Sequence, residues 1–315
     1  MDLKGMDLAE AYYRQYGEPM LREQFPELAD KVAAGLIGSG SECLGFDDEL
    51  SQDHDFEPGF CIFVGGEDEV DSRTSFALER AYAKLPDEFM GLRRARVSPV
   101  GGSRHGVIRL EDFFMSKLGS RTGVLEMRDW LRIPEYSIRE VTNGKIFYDG
   151  KGTITKVREE LDNMPEDVRL KKIAGHLLIM GQAGQYNFVR CCRRNDEGAA
   201  QLAVFEFVQS AMHVIYSLNG ELMPYYKWAF RGMRGLKVLS GTEEALITLL
   251  TTPNGGSMKD RKAEIIENVC GQIIGELQVQ GMTGASCGDL EQHAYSVNDH
   301  IRDNELRNMN ILAAV

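Results

Sequence analysis

No stretch of the 315-residue sequence approaches the roughly 18 unbroken apolar residues that a membrane span requires, and the start, MDLKGMDLAEAYYRQYGEPM, has no apolar segment behind a basic one. No membrane partner is expected, and the chain is expected in the cytoplasm. The six cysteines, Cys43, Cys61, Cys191, Cys192, Cys270 and Cys287, show no CxxC spacing and no histidine at ligand intervals. Neither a zinc knuckle nor a disulfide framework is indicated; reduced, mostly buried thiols are expected, because free cysteine packs as a small hydrophobe. Positive charge is also short, with 36 Lys and Arg against 48 Asp and Glu for a net charge of −12. General binders of nucleic acid or anionic membrane need a basic surface. A polynucleotide partner is therefore not expected, although a local basic cleft remains open.

What the sequence does contain is an ordinary globular composition, 43% hydrophobic and 27% charged, over a length that suits two domains of roughly 100 to 200 residues each. Charge is unevenly spread: residues 1–60 carry 14 acidic and 4 basic side chains, and residues 167–240 carry 5 acidic and 10 basic. Two solvated surfaces of opposite sign, or a cleft between a metal-holding and a phosphate-holding part, would each produce this asymmetry. Short apolar runs bounded by Gly and Pro, VAAGLIG (32–38), FCIFVGG (60–66), RARVSPV (94–100) and GVIRL (106–110), predict strands. Helices are predicted for Leu8 to Phe25 and Glu67 to Phe89. Later the period changes: Val204, Phe207, Ala211 and Ile215, then Ile266, Val269, Ile273 and Leu277, then Leu290, Ala294, Val297 and Ile301, each trace one helix face. The expected organisation is an α/β (α+β) domain over residues 1–145 followed by an all-α helical bundle over residues 146–315, divided near the turn-rich NGKIFYDGKGT.

The segment richest in chemistry is residues 37–56, IGSGSECLGFDDELSQDHDF. Glycines in Gly38-Ser39-Gly40-Ser41 let the chain turn sharply and approach a ligand, and the following amides and hydroxyls can hold phosphate oxygens. Twelve positions after Ser41 comes Asp53-His54-Asp55. On an extended strand, residues i and i+2 share a face, so the two carboxylates converge as hard oxygen ligands suited to Mg²⁺ beside a phosphate. Taken singly, a Gly/Ser turn is usually only a turn and Asp-x-Asp is common in solvated loops; together they point to a metal and phosphate site. A P-loop is excluded because no Gly-Lys-Ser/Thr follows, and a dinucleotide fold is disfavoured by the missing third glycine. His54 should face the other side of the strand as a packed histidine, and Asp47, Asp48 and Glu49 are expected to be solvated.

Gly-Ser, about a dozen residues, then Asp-x-Asp resembles the signature of the DNA polymerase β-like nucleotidyltransferase superfamily, which includes aminoglycoside and lincosamide adenylyltransferases. With DWLRIPE (129–135), TNGKIFYD (142–149), GQYNFVR (184–190) and PYYKW (224–228), the chain from about residue 35 to 310 resembles a bacterial family of nucleotidyltransferase-like proteins known as a domain of unknown function. The resemblance implies a nucleotidyltransferase domain with a mixed sheet, Ser39, Gly40 and Ser41 at the nucleotide phosphates, and Asp53 and Asp55 as catalytic Mg²⁺ ligands. It also implies a third carboxylate on a later strand. GVIRL has no acid inside it, which leaves Glu111 and Asp112 as candidates, although both also suit the start of the helix EDFFMSKLG.

In the helical half, Lys227, Arg231 and Arg234 are spaced to share a helix face, with Tyr225, Tyr226 and Trp228 beside them for stacking on a base or sugar. The resemblance assigns Arg190 and Lys227 to the phosphates; Arg193 and Arg194 are expected to be solvated. Lys171 and Lys172 are expected at the surface, and His176, His213, His293 and His300 in core or surface roles without an acid partner. The function implied is transfer of a nucleoside monophosphate from an NTP, ATP first, to an acceptor, with Mg²⁺-dependent release of pyrophosphate. A small-molecule acceptor is favoured over a protein side chain. The alternative is a nucleotide-binding sensor that has lost transfer along with its third carboxylate.

Overall fold

The computed structural model describes residues 4–52, 57–94 and 105–315. They fold as two compact units, Met1–Leu125 with Ser137–Asn163, and Glu126–Tyr136 with Met164–Val315.

The first unit is α+β. Its strands are β1 (Val32–Leu36), β2 (Cys61–Val64), β3 (Glu88–Phe89), β4 (Leu92–Arg93), β5 (Gly106–Arg109) and β6 (Lys145–Asp149). Four form a mixed sheet in the order β5-β2-β1-β6, in which β1 runs antiparallel to β2 and β6 while β2 runs parallel to β5. The two central strands, VAAGL and CIFV, are buried at every position. That is why they read as unbroken apolar runs and not as alternation. The register of β1 on β6 shifts between Ala34 and Gly35. A Cβ on Gly35 would lie 2.6 Å from the Lys145 carbonyl oxygen, so only glycine permits this approach.

Helical segments Gly5–Tyr12, Tyr13–Gly17 and Glu18–Gln24 fulfil the expectation for Leu8 to Phe25, the middle one with the wider π spacing. The helix expected over Glu67 to Phe89 is shorter, Ser72–Ala83. Asp71 starts it by accepting the Thr74 N–H at 2.7 Å, and Glu88–Phe89 turns back to pair with Leu92–Arg93. Tyr12, Phe60, Ile62, Leu78 and Tyr82 close the core between these helices and the sheet. The strand expected at 94–100 falls, from residue 95 on, outside the described residues.

The regular elements of the second unit are all helices. Helices Glu166–Met180, Glu197–Leu218, Met258–Val279 and Leu290–Asp299 bury the apolar faces that their periodicity marks. Val204, Phe207, Ile215, Ile266, Ile273, Leu277, Leu290 and Val297 are all at most 1% exposed. Residues Gly181–Phe188 continue the first of these helices with π spacing. Gly184 sits where a Cβ would come within 2.4 Å of the Phe207 ring. Among the described residues no helix is long and apolar enough to cross a membrane.

Candidate functional site

In the first unit the site is built from the end of β1. After Ile37 the chain enters Gly38 and Gly40 at φ of 115° and 139°, a region that glycine alone enters at no steric cost. A Cβ on Gly38 would meet nothing within 4 Å. The requirement there is one of dihedral angle, not of space. Ser39 is exposed, and Ser41 opens the short helix Ser41–Leu44.

Asn143 braces this turn from 105 residues away: its Nδ2 donates to the Gly38 carbonyl at 2.8 Å, and its Oδ1 accepts the Gly38 N–H at 3.0 Å. The next residue, Gly144, has φ of 63° and passes so close to β1 that a Cβ would lie 2.1 Å from the Leu36 carbonyl oxygen. The Asn-Gly pair in TNGKIFYD is a turn signal in the sequence. Which backbone its amide would hold is a tertiary fact. Asp47, expected to be solvated, is instead 3% exposed and accepts the Gly5 N–H at 2.8 Å, tying the first helix to the segment beyond the turn; Asp48 and Glu49 are exposed.

The turn opens onto a cleft of about 860 Å³, whose lining includes Gly38, Ser39, Ser75, Arg109, Asp112 and Lys117. The Arg109 guanidinium donates to the carbonyls of Gly65 and Val70, each at 2.9 Å, and pairs with Glu67; Lys117 pairs with Glu140. The two candidates for the third carboxylate part company here. Asp112 lines this cleft, its side chain 67% exposed, whereas Glu111 lines a separate cavity of about 390 Å³ with Gly66, Asp68 and Arg121. Arg121 lies 3.4 Å from Glu111 and 3.9 Å from Asp112. Both acids stand in the first turn of helix Leu110–Leu118, where the helix dipole favours them.

Asp53, His54 and Asp55 lie outside the described residues. The strand they lead into, β2, starts at Cys61 opposite Gly35, at the edge of the sheet where the turn leaves β1. Among the described residues no group of three His, Cys, Asp or Glu side chains is placed to hold a metal ion. The cysteines are free thiols: Cys43, Cys61 and Cys270 are buried, Cys191 and Cys192 half-buried and Cys287 exposed.

In the second unit, Arg190 lies over the Tyr186 ring at 4.6 Å, and Lys227 and Arg231 lie over Trp228 at 5.0 and 5.9 Å. Arg193 and Arg194 are exposed, as expected. Lys171 and Lys172 are not surface residues. Lys171 is fully buried and donates to Asn298 Oδ1 at 2.9 Å and the Met309 carbonyl at 2.8 Å. Lys172 is 5% exposed, with Nζ 3.7 Å from Glu135 Oε1.

Glu135 is the centre of a buried polar cluster that the sequence did not reveal. Its Oε2 accepts the Met223 N–H at 3.1 Å and lies 3.4 Å from His213 Nδ1. The His213 ring is stacked on that of His176, centroids 4.3 Å apart and 3° from parallel. His213 therefore does have an acid partner, supplied by a residue 78 positions earlier. The only local signal was Lys172 and His176, four apart on one helix face. Burial alone would raise the Glu135 pKa. The hydrogen bond and charge of His213, the Lys172 charge and the Met223 N–H outweigh it and lower the carboxyl from 4.5 to about 2. Burial, helped by the charge of His213 and by that of Lys172 and opposed by that of Glu135, lowers His176 from 6.5 to about 3.

A folded-state pKa below the unfolded value stabilises above the unfolded value, and that stability is lost as pH falls toward the folded one. For His176 the loss runs from pH 6.5 down toward about 3, and for Glu135 only from 4.5 down toward about 2. Between pH 6.5 and 4.5, wild-type stability should fall by up to about 1.4 kcal/mol per pH unit more steeply than that of His176→Gln. Chemical denaturation across this range measures the difference; parallel slopes would remove His176 from the acid response.

A family model described as Domain of unknown function (DUF4037) matches residues 130–229. The span contains Glu135, Lys172, His176, His213 and Met223, together with Tyr225 to Trp228. No curated protein and no solved structure matches the chain.

Proposed function

We propose that this protein is a cytoplasmic nucleotidyltransferase that moves a nucleoside monophosphate from an NTP, ATP first, to an acceptor, releasing pyrophosphate. The observation that carries this reading is the Gly38–Ser41 turn, held by Asn143 and opening on a cleft that also exposes Asp112. Its amides and the Ser39 and Ser41 hydroxyls suit phosphate oxygens. Asp53 and Asp55 would supply the carboxylates for Mg²⁺, which neutralises charge on the leaving pyrophosphate. The strand on which the resemblance puts a third carboxylate, β5, pairs directly with β2 (Cys61 opposite Gly106), the strand that follows Asp53-x-Asp55. A small-molecule acceptor suits the acidic chain better than a polynucleotide.

One feature favours nucleotide binding without transfer. The strand β5 brings Val107, Ile108 and Arg109 to the cleft and no acid, and Arg109 is spent on Gly65, Val70 and Glu67.

A thermal-shift panel of the four NTPs with and without Mg²⁺ tests the shared part of both readings. At 100 times Kd a ligand that binds only the folded state stabilises by about 2.7 kcal/mol. The expected result is a shift with Mg²⁺ and ATP that chelator removes. An unchanged melting temperature with every nucleotide would overturn both readings.

A further inference from the structure

Tyr12, Tyr13, Tyr82 and Tyr216 are buried, and three of them use their hydroxyls inside the protein. Tyr12 donates to the Pro86 carbonyl at 2.8 Å, Tyr82 accepts the Phe60 N–H at 3.1 Å, and Tyr216 donates to the Ala229 carbonyl at 2.6 Å. The fourth, Tyr13, is 4% exposed, and its hydroxyl has no hydrogen-bond partner among the described residues. A buried tyrosine normally finds one, because otherwise the cost of desolvating the hydroxyl is not offset.

The Tyr13 ring is fixed in place, stacked on Phe147 with centroids 5.5 Å apart and edge to face with Phe60 at 5.2 Å. Its side chain lines a cavity of about 370 Å³ in the first unit, where Leu21, Phe25, Leu28, Val32 and Phe147 supply an apolar wall. Glu18 and Tyr148, the two groups whose charge acts on the Tyr13 hydroxyl, line the same cavity, so the hydroxyl is aimed into it. This cavity shares no lining residue with the cleft at Gly38.

The wide helical turn explains why Glu18 stands beside Tyr13. Five positions on, a residue of an α-helix lies about 140° round the axis. Here the segment Tyr13–Gly17 has π spacing, and the Glu18 N–H donates to the Tyr13 carbonyl, which brings Glu18 one turn above Tyr13. Glu18 forms no ion pair among the described residues. The other polar groups of the cavity wall are occupied: Arg22 pairs with Glu23 at 3.3 Å, and Tyr148 donates to the Ala29 carbonyl. Burial first, then Glu18 and Tyr148, raise the Tyr13 pKa, so its hydroxyl stays protonated at neutral pH.

We propose that this cavity is a binding site for a small aromatic alcohol, whose ring packs on the apolar wall and whose hydroxyl accepts from Tyr13 and donates to Glu18. Small-molecule sites are typically concave and mostly apolar, with a few placed polar groups that fix orientation. A hydrocarbon would leave Tyr13 without a partner, and a carboxylate would meet the Glu18 charge. The inference stands apart from nucleotide binding and uses none of its residues.

The test uses the full chain with 4-methylphenol as probe, toluene as the same ring without the hydroxyl, and 4-methylbenzoate as the anion, each titrated by NMR of the protein methyl groups. In wild type, 4-methylphenol is expected to shift the methyls of Leu21, Leu28 and Val32 and to bind roughly fivefold or more tightly than toluene, with 4-methylbenzoate weaker than 4-methylphenol. Tyr13→Phe is expected to reduce 4-methylphenol to the affinity of toluene and to leave toluene unchanged. Without ligand this variant should melt at or above the wild-type temperature, because it removes a buried hydroxyl that has no partner. Glu18→Gln is expected to weaken 4-methylphenol severalfold and to narrow its advantage over 4-methylbenzoate. Absence of shifts at the three methyls, equal affinity of wild type for 4-methylphenol and toluene, or tighter binding of 4-methylbenzoate would each overturn the proposal. So would an undiminished preference for 4-methylphenol in Tyr13→Phe, or a melting temperature of that variant well below wild type.

Discussion

Replacing Asp53 and Asp55 together by asparagine should abolish Mg²⁺-dependent ATP binding while leaving the fold intact. Asparagine keeps the size and an oxygen at each position but removes the charge that a hard divalent cation requires. Magnesium dehydrates reluctantly and is usually held by one or two carboxylates together with the phosphates of its substrate. Without both carboxylates the metal no longer bridges protein and triphosphate, and an ATP affinity loss of roughly a hundredfold or more is expected, about 2.7 kcal/mol. Circular dichroism and the melting temperature should match wild type, since the buried sheet residues Ile62 and Phe63 are unchanged in the variant. Equal affinity of wild type and variant by calorimetry would show that the pair holds no metal, and the transfer reading would then lose its chemistry.

The second large effect distinguishes two adjacent acids. Asp112→Asn is expected to eliminate transfer of label from α-phosphate-labelled ATP to acceptors in a bacterial metabolite extract, with ATP binding preserved; Glu111→Gln is expected to retain transfer. Asp112 lines the cleft that contains Gly38 and Ser39, whereas Glu111 lines the other cavity, beside Gly66. A general base must reach the acceptor proton directly or through one water, and its loss typically costs 10²- to 10⁴-fold. Activity in Asp112→Asn with loss in Glu111→Gln would reverse the assignment. Full activity in both would acquit both and send the search to other acids. A wild-type protein that binds ATP with Mg²⁺ yet labels nothing with any of the four NTPs would favour the binding reading over transfer.

The range of the forces involved separates the local features of this protein from the tertiary ones. Strand and helix identity depends on neighbours a few residues apart. The apolar runs at 32–36 and 61–64 and the 3.6-residue spacing of Ile266, Val269, Ile273 and Leu277 were therefore legible directly, and all are buried as their patterns require. The turn at Gly38 and Gly40 was legible for the same reason, because positive φ is a local property of glycine. Electrostatic and hydrogen-bond partners are not local. Lys172 looks like an ordinary surface lysine until helix packing brings Glu135 to 3.7 Å, and His213 had no acid within helical reach. Asp47 looked solvated within DDE until the first helix offered it an unpaired N–H. Nor did the sequence show that Asn143 would brace the Gly38–Ser41 turn, or that Glu111 and Asp112, one residue apart, would line different cavities. By itself the sequence determined where the main strands and helices form and that the chain turns at Gly38 and Gly40; only the tertiary structure decided which buried charges are neutralised and by whom, because charges are paired across space and not along the chain.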